Sequence, residues 1–251
     1  MKKTTLNLTI FSIIIFFASC QKEPSGELPT TTTSDRVKTY TEDITYGSTH
    51  RVDSFLLTYD ANNRMISLKG VTGNTLEFKY SYPNDNTIFN DQYEDGILQV
   101  HVEEYFANNH MDSMCQYNNE GDTSTAKYIF NAAGEMTQQR EYDYTKATGS
   151  VLYLTTNYTY DANNNALKEE DTEGNSTTYE YYSDKKYYHP LIGPPLTPYI
   201  KRYLMKSLKV VQDGETETGD ITYTFDSNDR ITSETTISDQ GSFVIKRCTY
   251  Y

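Results

Sequence analysis

The chain has 251 residues, with 22 Lys and Arg against 35 Asp and Glu, a formal net charge of −13, and 24 Tyr but no Trp. That length suits one domain or two small ones. The acidic balance argues against binding nucleic acid through phosphates, which needs a basic surface, and 13 Gly without a period, with no heptads, exclude collagen-like and coiled-coil chains. From Cys20 onward, 13 Leu, 11 Ile, 9 Val and 7 Phe make 40 of 232 residues, about 17%. With high net charge, that low apolar content flags disorder. Adding the 24 Tyr raises the count to 64 of 232, about 28%. A fold built from this chain therefore depends on Tyr as a core and cross-strand residue, which favours sheet.

The N-terminus reads as an address. Met1-Lys2-Lys3 is a short basic start, and the apolar stretch at 6–17 is too short to span a membrane as a mature helix. Ala18-Ser19-Cys20 resembles the lipobox of bacterial lipoproteins, with Phe17 where Leu is usual. The resemblance implies that 1–19 is a signal peptide and that Cys20 becomes the first mature residue and carries the lipids. Losing Lys2 and Lys3 leaves 20 basic against 35 acidic residues, a net charge of −15. Residues 20–35, polar with two Pro and a Thr run, read as a flexible tether. Gln21-Lys22-Glu23 weakly resembles the acidic export tag of Bacteroidota surface lipoproteins, so the outer membrane is expected, with the periplasmic face and the cell surface both open.

Residues 36–251 read as a single domain in which one pattern recurs: YDANNRMIS from Tyr59, YFANNHMDS from Tyr105, FNAAGEMTQ from Phe130, YDANNNALK from Tyr160 and FDSNDRITS from Phe225. An aromatic residue closes a strand, Asp or Asn starts a small polar cluster that tolerates left-handed backbone, and an apolar residue opens the next strand. Between turns the chain alternates with period two. Leu76, Phe78, Tyr80 and Tyr82 share a face, as do Leu98, Val100, Val102 and Phe106, and Ile221, Tyr223 and Phe225. The reading is all-β: an antiparallel meander of about fifteen strands between Val37 and Tyr251, curved into a barrel, a half-barrel or two layers. The YDANNR and YDANNN units resemble the tyrosine–aspartate (YD, Rhs-type) repeats of bacterial surface and toxin shells. The whole plan resembles poorly characterised Bacteroidota lipoproteins that carry such repeats after a lipobox. That resemblance implies architecture and says little of function.

Residues 183–203 break the rhythm. Pro190, Pro194, Pro195 and Pro198 exclude a central strand, and Lys185, Lys186, Lys201 and Arg202 flank a loop holding Tyr187, Tyr188, His189 and Tyr199. The loop either caps an open end of the sheet or contacts a ligand, and those four residues are the candidate ligand contacts. Cys115 and Cys248 lie in separate expected strands, with pairing left open. Asp161, Asn163 and Asn165 have the spacing of the first calcium-loop ligands, but Ala166 and Thr172 occupy the places of the expected Gly and Glu, so a turn explains them better. His101 and Glu103 share a strand face near His110 and read as solvated. No nucleophile elbow, phosphate loop or zinc spacing is present. The expectation is a non-enzymatic, lipid-anchored envelope module without metal or cofactor, binding a glycan or a protein or serving as scaffold. The alternative is a periplasmic carrier holding an apolar ligand such as a lipid in the curved sheet. A third reading has a sheet edge pairing with a partner strand.

Overall fold

The computed structural model describes residues 36–251 apart from 73–74, 109, 120, 122, 146–148 and 187–202. Sixteen antiparallel strands follow one another: β1 (Val37–Tyr46), β2 (Thr49–Tyr59), β3 (Met65–Thr72), β4 (Glu77–Asn84), β5 (Thr87–Glu94), β6 (Ile97–Ala107), β7 (His110–Asn118), β8 (Thr123–Phe130), β9 (Met136–Thr145), β10 (Gly149–Tyr160), β11 (Ala166–Asp171), β12 (Ser176–Lys186), β13 (Tyr203–Gln212), β14 (Glu215–Phe225), β15 (Ile231–Ser238) and β16 (Phe243–Tyr250). Each pairs with its sequence neighbours, and β1 pairs with β16, so the meander closes into a barrel. The signal peptide, Cys20 and the tether lie outside the described residues, as does most of the Pro-rich loop.

The polar clusters make the turns for a specific reason. In four of them, Oδ1 of a leading Asp or Asn accepts from the backbone N–H groups two and four residues on. Asp60 takes Asn62 and Arg64, Asn131 takes Ala133 and Glu135, Asp161 takes Asn163 and Asn165, and Asp226 takes Asn228 and Arg230. The fifth residue binds the leading side chain in return, as Arg64 Nε does to Asp60 Oδ2 at 2.8 Å. The fourth position has positive φ (Asn63, Gly134, Asn164, Asp229), where Asn, Asp and Gly are least strained. Two sequence assignments shift. YFANNHMDS is a two-residue hairpin, with Ala107 opposite His110 and Asn108 at φ 53°. Asp171–Asn175 repeats the five-residue turn instead, with Asp171 Oδ1 accepting from Glu173 and Asn175.

These turns set up a second repeat. The apolar residue that opens an odd-numbered strand is buried, and its carbonyl lies where the ladder begins. Tyr59, Tyr82, Tyr160, Tyr181 and Tyr250 reach from the following even-numbered strand and donate to the carbonyls of Val37, Met65, Met136, Ala166 and Ile231 at 2.6–2.8 Å. Arg64 and Arg230, held by their turns, lie over the rings of Tyr82 and Tyr250, each 4.3 Å from the centroid. Val37, Leu57, Met65, Met136 and Leu204, 0–2% exposed, pack at this end of the barrel, called here the near end. Tyr thus fills core volume while its hydroxyl satisfies a buried carbonyl, which answers the shortage of aliphatic residues.

Alternation gives the wall two chemistries. The inner face is apolar at the near end and acidic beyond it. Across the closing seam it carries an ionic row, Glu234–Lys246–Glu42–Asp53, in direct register on β15, β16, β1 and β2. Lys246 Nζ lies 3.1 Å from Glu234. The outer face is mixed: Thr39 pairs with Thr249 at 2.6 Å and Thr41 with Ser54 at 3.1 Å, and Asp43, Lys79, Glu103, Lys127 and Arg247 fall on the same face as the exposed Val52 and Leu56. Cys115 faces outward opposite Glu103 and Thr125. Cys248 faces inward opposite Tyr40, and burial pushes its thiol up to about 12. The two thiols are free and lie on opposite faces of the wall, so they cannot pair.

Candidate aromatic and carboxylate site on the outer wall

Register assembles a cluster on the outer face of β4 to β7. One row runs Lys79–Asp91–His101–Tyr117 and the next Ser81–Phe89–Glu103–Cys115. His101 Nδ1 lies 2.5 Å from Asp91 Oδ1, and its Nε2 lies 3.4 Å from Glu103 Oε1. Tyr105 and Tyr117 both donate to Glu103 Oε2, at 2.5 and 3.3 Å. The Phe89 ring meets His101 edge-on at 5.4 Å, and Tyr117 lies tilted against it at 5.9 Å. The hydroxyls are therefore tied down while the Tyr rings stay open, 37% and 38% exposed.

The electrostatics follow from these contacts. Partial burial works to lower the His101 pKa, but the hydrogen bond and charge of Asp91, reinforced by Glu103, overcome it and leave the imidazole above its usual value. The Tyr105 hydroxyl, against partial burial and together with His101 and Tyr117, holds Glu103 below the usual carboxylate range. The same bond pushes Tyr105 up to about 12. The cluster is a fixed aromatic surface with acceptor oxygens at its floor, suited to stacking on a flat apolar face while accepting from hydroxyl or amide donors.

The strip continues to the near-end rim. Tyr105 stands opposite Ser113, and the adjoining Asp112 lines a groove of about 680 Å³ with Asn108, His110, Phe130 and Asn131. The His110 ring stacks on Phe130 at 4.6 Å. Gly134 is required beside it, because a Cβ there would stand 3.2 Å from the imidazole and φ is +80°. Among the described residues, no group of three or more His, Cys, Asp or Glu could hold a metal ion. Asp161, at the calcium-like spacing, accepts from two backbone amides of its own turn and from Asn165 Nδ2.

The sequence candidates Tyr187, Tyr188, His189 and Tyr199 lie outside the described residues, as does Cys20. His101 and Glu103 share a strand face as alternation predicts. Tyr105 joins them on the same strand, and Asp91 and Tyr117 through cross-strand register, which sequence reasoning had no means to read. The apolar residues of the inner near end already pack on one another: Val37, Leu57, Phe55, Met65, Phe78 and Phe106 belong to one cluster.

No family model matches the chain, and no curated protein matches it. The fold defines a class, the closed antiparallel meander barrel. Within that class the chain is similar to two solved structures. One is a porin-like protein from Bacteroides uniformis, at 14% identity, TM-score 0.59, covering 87% of this chain and 98% of that one. The other is a porin-like protein from Bacteroides vulgatus, at 11% identity, TM-score 0.59, covering 86% and 98%.

Proposed function

We propose that the protein is a lipid-anchored binding or scaffold module of the bacterial cell envelope, acting without catalysis or cofactor. Cys20 holds it to the outer membrane, and the barrel projects from the bilayer on the tether. The outer wall supports this most directly. A barrel that crosses a membrane turns an apolar band about 25 Å tall toward lipid. Here that face carries Thr pairs, Asp43, Lys79, Lys127 and Arg247. Charge at mid-membrane on such a wall costs about 2–4 kcal/mol per Lys or Arg. The two Bacteroides barrels of the same fold support an envelope location.

The ligand in this reading is a glycan or a partner protein, contacted through the outer aromatic strip. Ordered Tyr rings supply contact area at low entropic cost, and a net charge of −15 in the mature chain disfavours nucleic acid and other polyanions. A glycan array probed with the mature chain tests the reading. Tyr105→Ala with Tyr117→Ala is expected to weaken a detected interaction at least tenfold, and unchanged affinity removes the strip as the site.

A further inference from the structure

The strands are unequal in length, and the step from β10 to β11 leaves an edge. β10 has 12 residues and β11 only 6. Their pairing runs from Tyr160–Ala166 to Thr156–Asp171. It ends where Thr172 N donates to Thr155 O at 3.0 Å and Thr155 N to Thr172 Oγ1 at 3.3 Å. Beyond that point β10 runs on toward the far end paired with β9 alone, as far as Gly149 opposite Thr145. Among the described residues, Ser150–Leu154 therefore has no strand on its β11 side. This is about 17 Å of edge at a strand rise near 3.4 Å per residue.

Exposed edges are normally guarded by Lys or Pro, or covered. Ser150-Val-Leu-Tyr-Leu154 has neither residue. Val151, Leu152 and Tyr153 are 47%, 49% and 46% exposed, with Tyr144 on adjacent β9 at 47%. The bulge at Tyr153 bends the edge without blocking it. The surroundings are acidic. Tyr153 donates to Glu141, and Glu141, Asp143 and Glu173 all lie close enough to raise its pKa beyond what burial does.

We infer that this edge takes an extended segment of a partner protein as an added strand, one alternating apolar with basic residues. Backbone hydrogen bonds supply the general attraction and the side chains the selectivity. The apolar residues lie on the outer side beside Leu152, and the basic ones on the inner side, where Asp143 stands opposite Val151 and Tyr153 donates to Glu141. A second copy of this chain is a poor occupant, because edge-to-edge pairing would set two such acidic groups against each other. The site is separate from the outer aromatic strip and does not depend on it.

The test uses the mature chain, residues 20–251 with Cys20→Ser, and a fluorescent ten-residue peptide alternating Val and Lys. Binding is expected. It should weaken at least tenfold when Glu replaces Lys in the peptide, and at least tenfold when alternate peptide nitrogens are methylated. Val151→Lys with Tyr153→Lys should cause the same loss while circular dichroism and Tm stay unchanged. Tyr105→Ala with Tyr117→Ala should leave peptide affinity alone, which separates this site from the aromatic strip. No binding by the folded chain, or equal binding of the Glu or methylated peptides, overturns the inference. A dimer in sedimentation that Val151→Lys with Tyr153→Lys abolishes would also overturn it, in favour of a second copy.

Discussion

At the residue scale, the most consequential group is Glu104. It lies on the inner face, 8% exposed, and Oε2 has no hydrogen-bond partner. Tyr80 OH and Asn90 Oδ1, on the neighbouring inner positions of β4 and β5, are likewise buried and unpartnered. Desolvation lifts Glu104 from 4.5 to about 7. In the unfolded chain the carboxyl loses its proton near 4.5. Between that pH and about 7 the folded state binds more protons, so stability falls as pH rises through this window and levels off above it. A shift of that size corresponds to about 3 kcal/mol at pH 8. Glu104→Gln is expected to stabilise the barrel by up to that amount at pH 8 and to change little at pH 4. Urea unfolding at the two pH values checks it, and an equal effect at both would point to packing instead of charge.

At the element scale, the turns were legible in the sequence, whereas the register and the Tyr hydroxyl bonds to the strand-opening carbonyls were not. Asp or Asn at the head of each cluster, followed by Asn, Asp or Gly at the left-handed position, is local chemistry, so the strand boundaries followed from it. Alternation also placed Phe78, Tyr80 and Tyr82 on one face and Ile221, Tyr223 and Phe225 on another. YFANNHMDS misled because its letters match the five-residue turn, whereas Ala107 pairs with His110 across only two residues. The outer site was half visible: His101 and Glu103 lie on one strand, but Asp91 and Tyr117 reach them only through pairing. The seam row was hidden for the same reason, since Glu42 and Lys246 are 204 positions apart.

That row allows an element-scale prediction. Burial raises the Glu42 pKa while the Lys246 charge opposes the rise. Lys246→Met removes the cation between Glu234 and Glu42; the Lys246–Glu234 pair is part-buried, so the loss is expected to fall below the ~3–5 kcal/mol of a fully buried pair. The Glu42 carboxyl then rises further, so the loss is expected to be larger at pH 8 than at pH 5, where it protonates at less cost. Adding Glu42→Gln should recover part of it. Unfolding curves of the single and double variants read this directly.

At the scale of the whole molecule, closure decides more than strand count. A first and last strand that pair leave no general sheet edge, so the third sequence reading survives at local steps between strands of unequal length, such as the one beside β10. Closure also fixes which face meets the surroundings, and that face carries Thr pairs and charged side chains among its apolar residues. The 24 Tyr that first offset a shortage of aliphatic residues are divided between the two sides: Tyr59, Tyr82, Tyr160, Tyr181 and Tyr250 seal the near end, and Tyr105 and Tyr117 open onto the outer wall. The central claim is a barrel with a charge-bearing outer wall, held at the membrane by its N-terminal lipid alone. Flotation of Cys20→Ser with liposomes of neutral phospholipid, alongside the lipidated protein, tests it most directly. The account predicts that the variant stays in the aqueous fraction as a folded β protein without detergent, while the lipidated form floats. A Cys20→Ser barrel that floats, or that stays folded only in detergent, would contradict it.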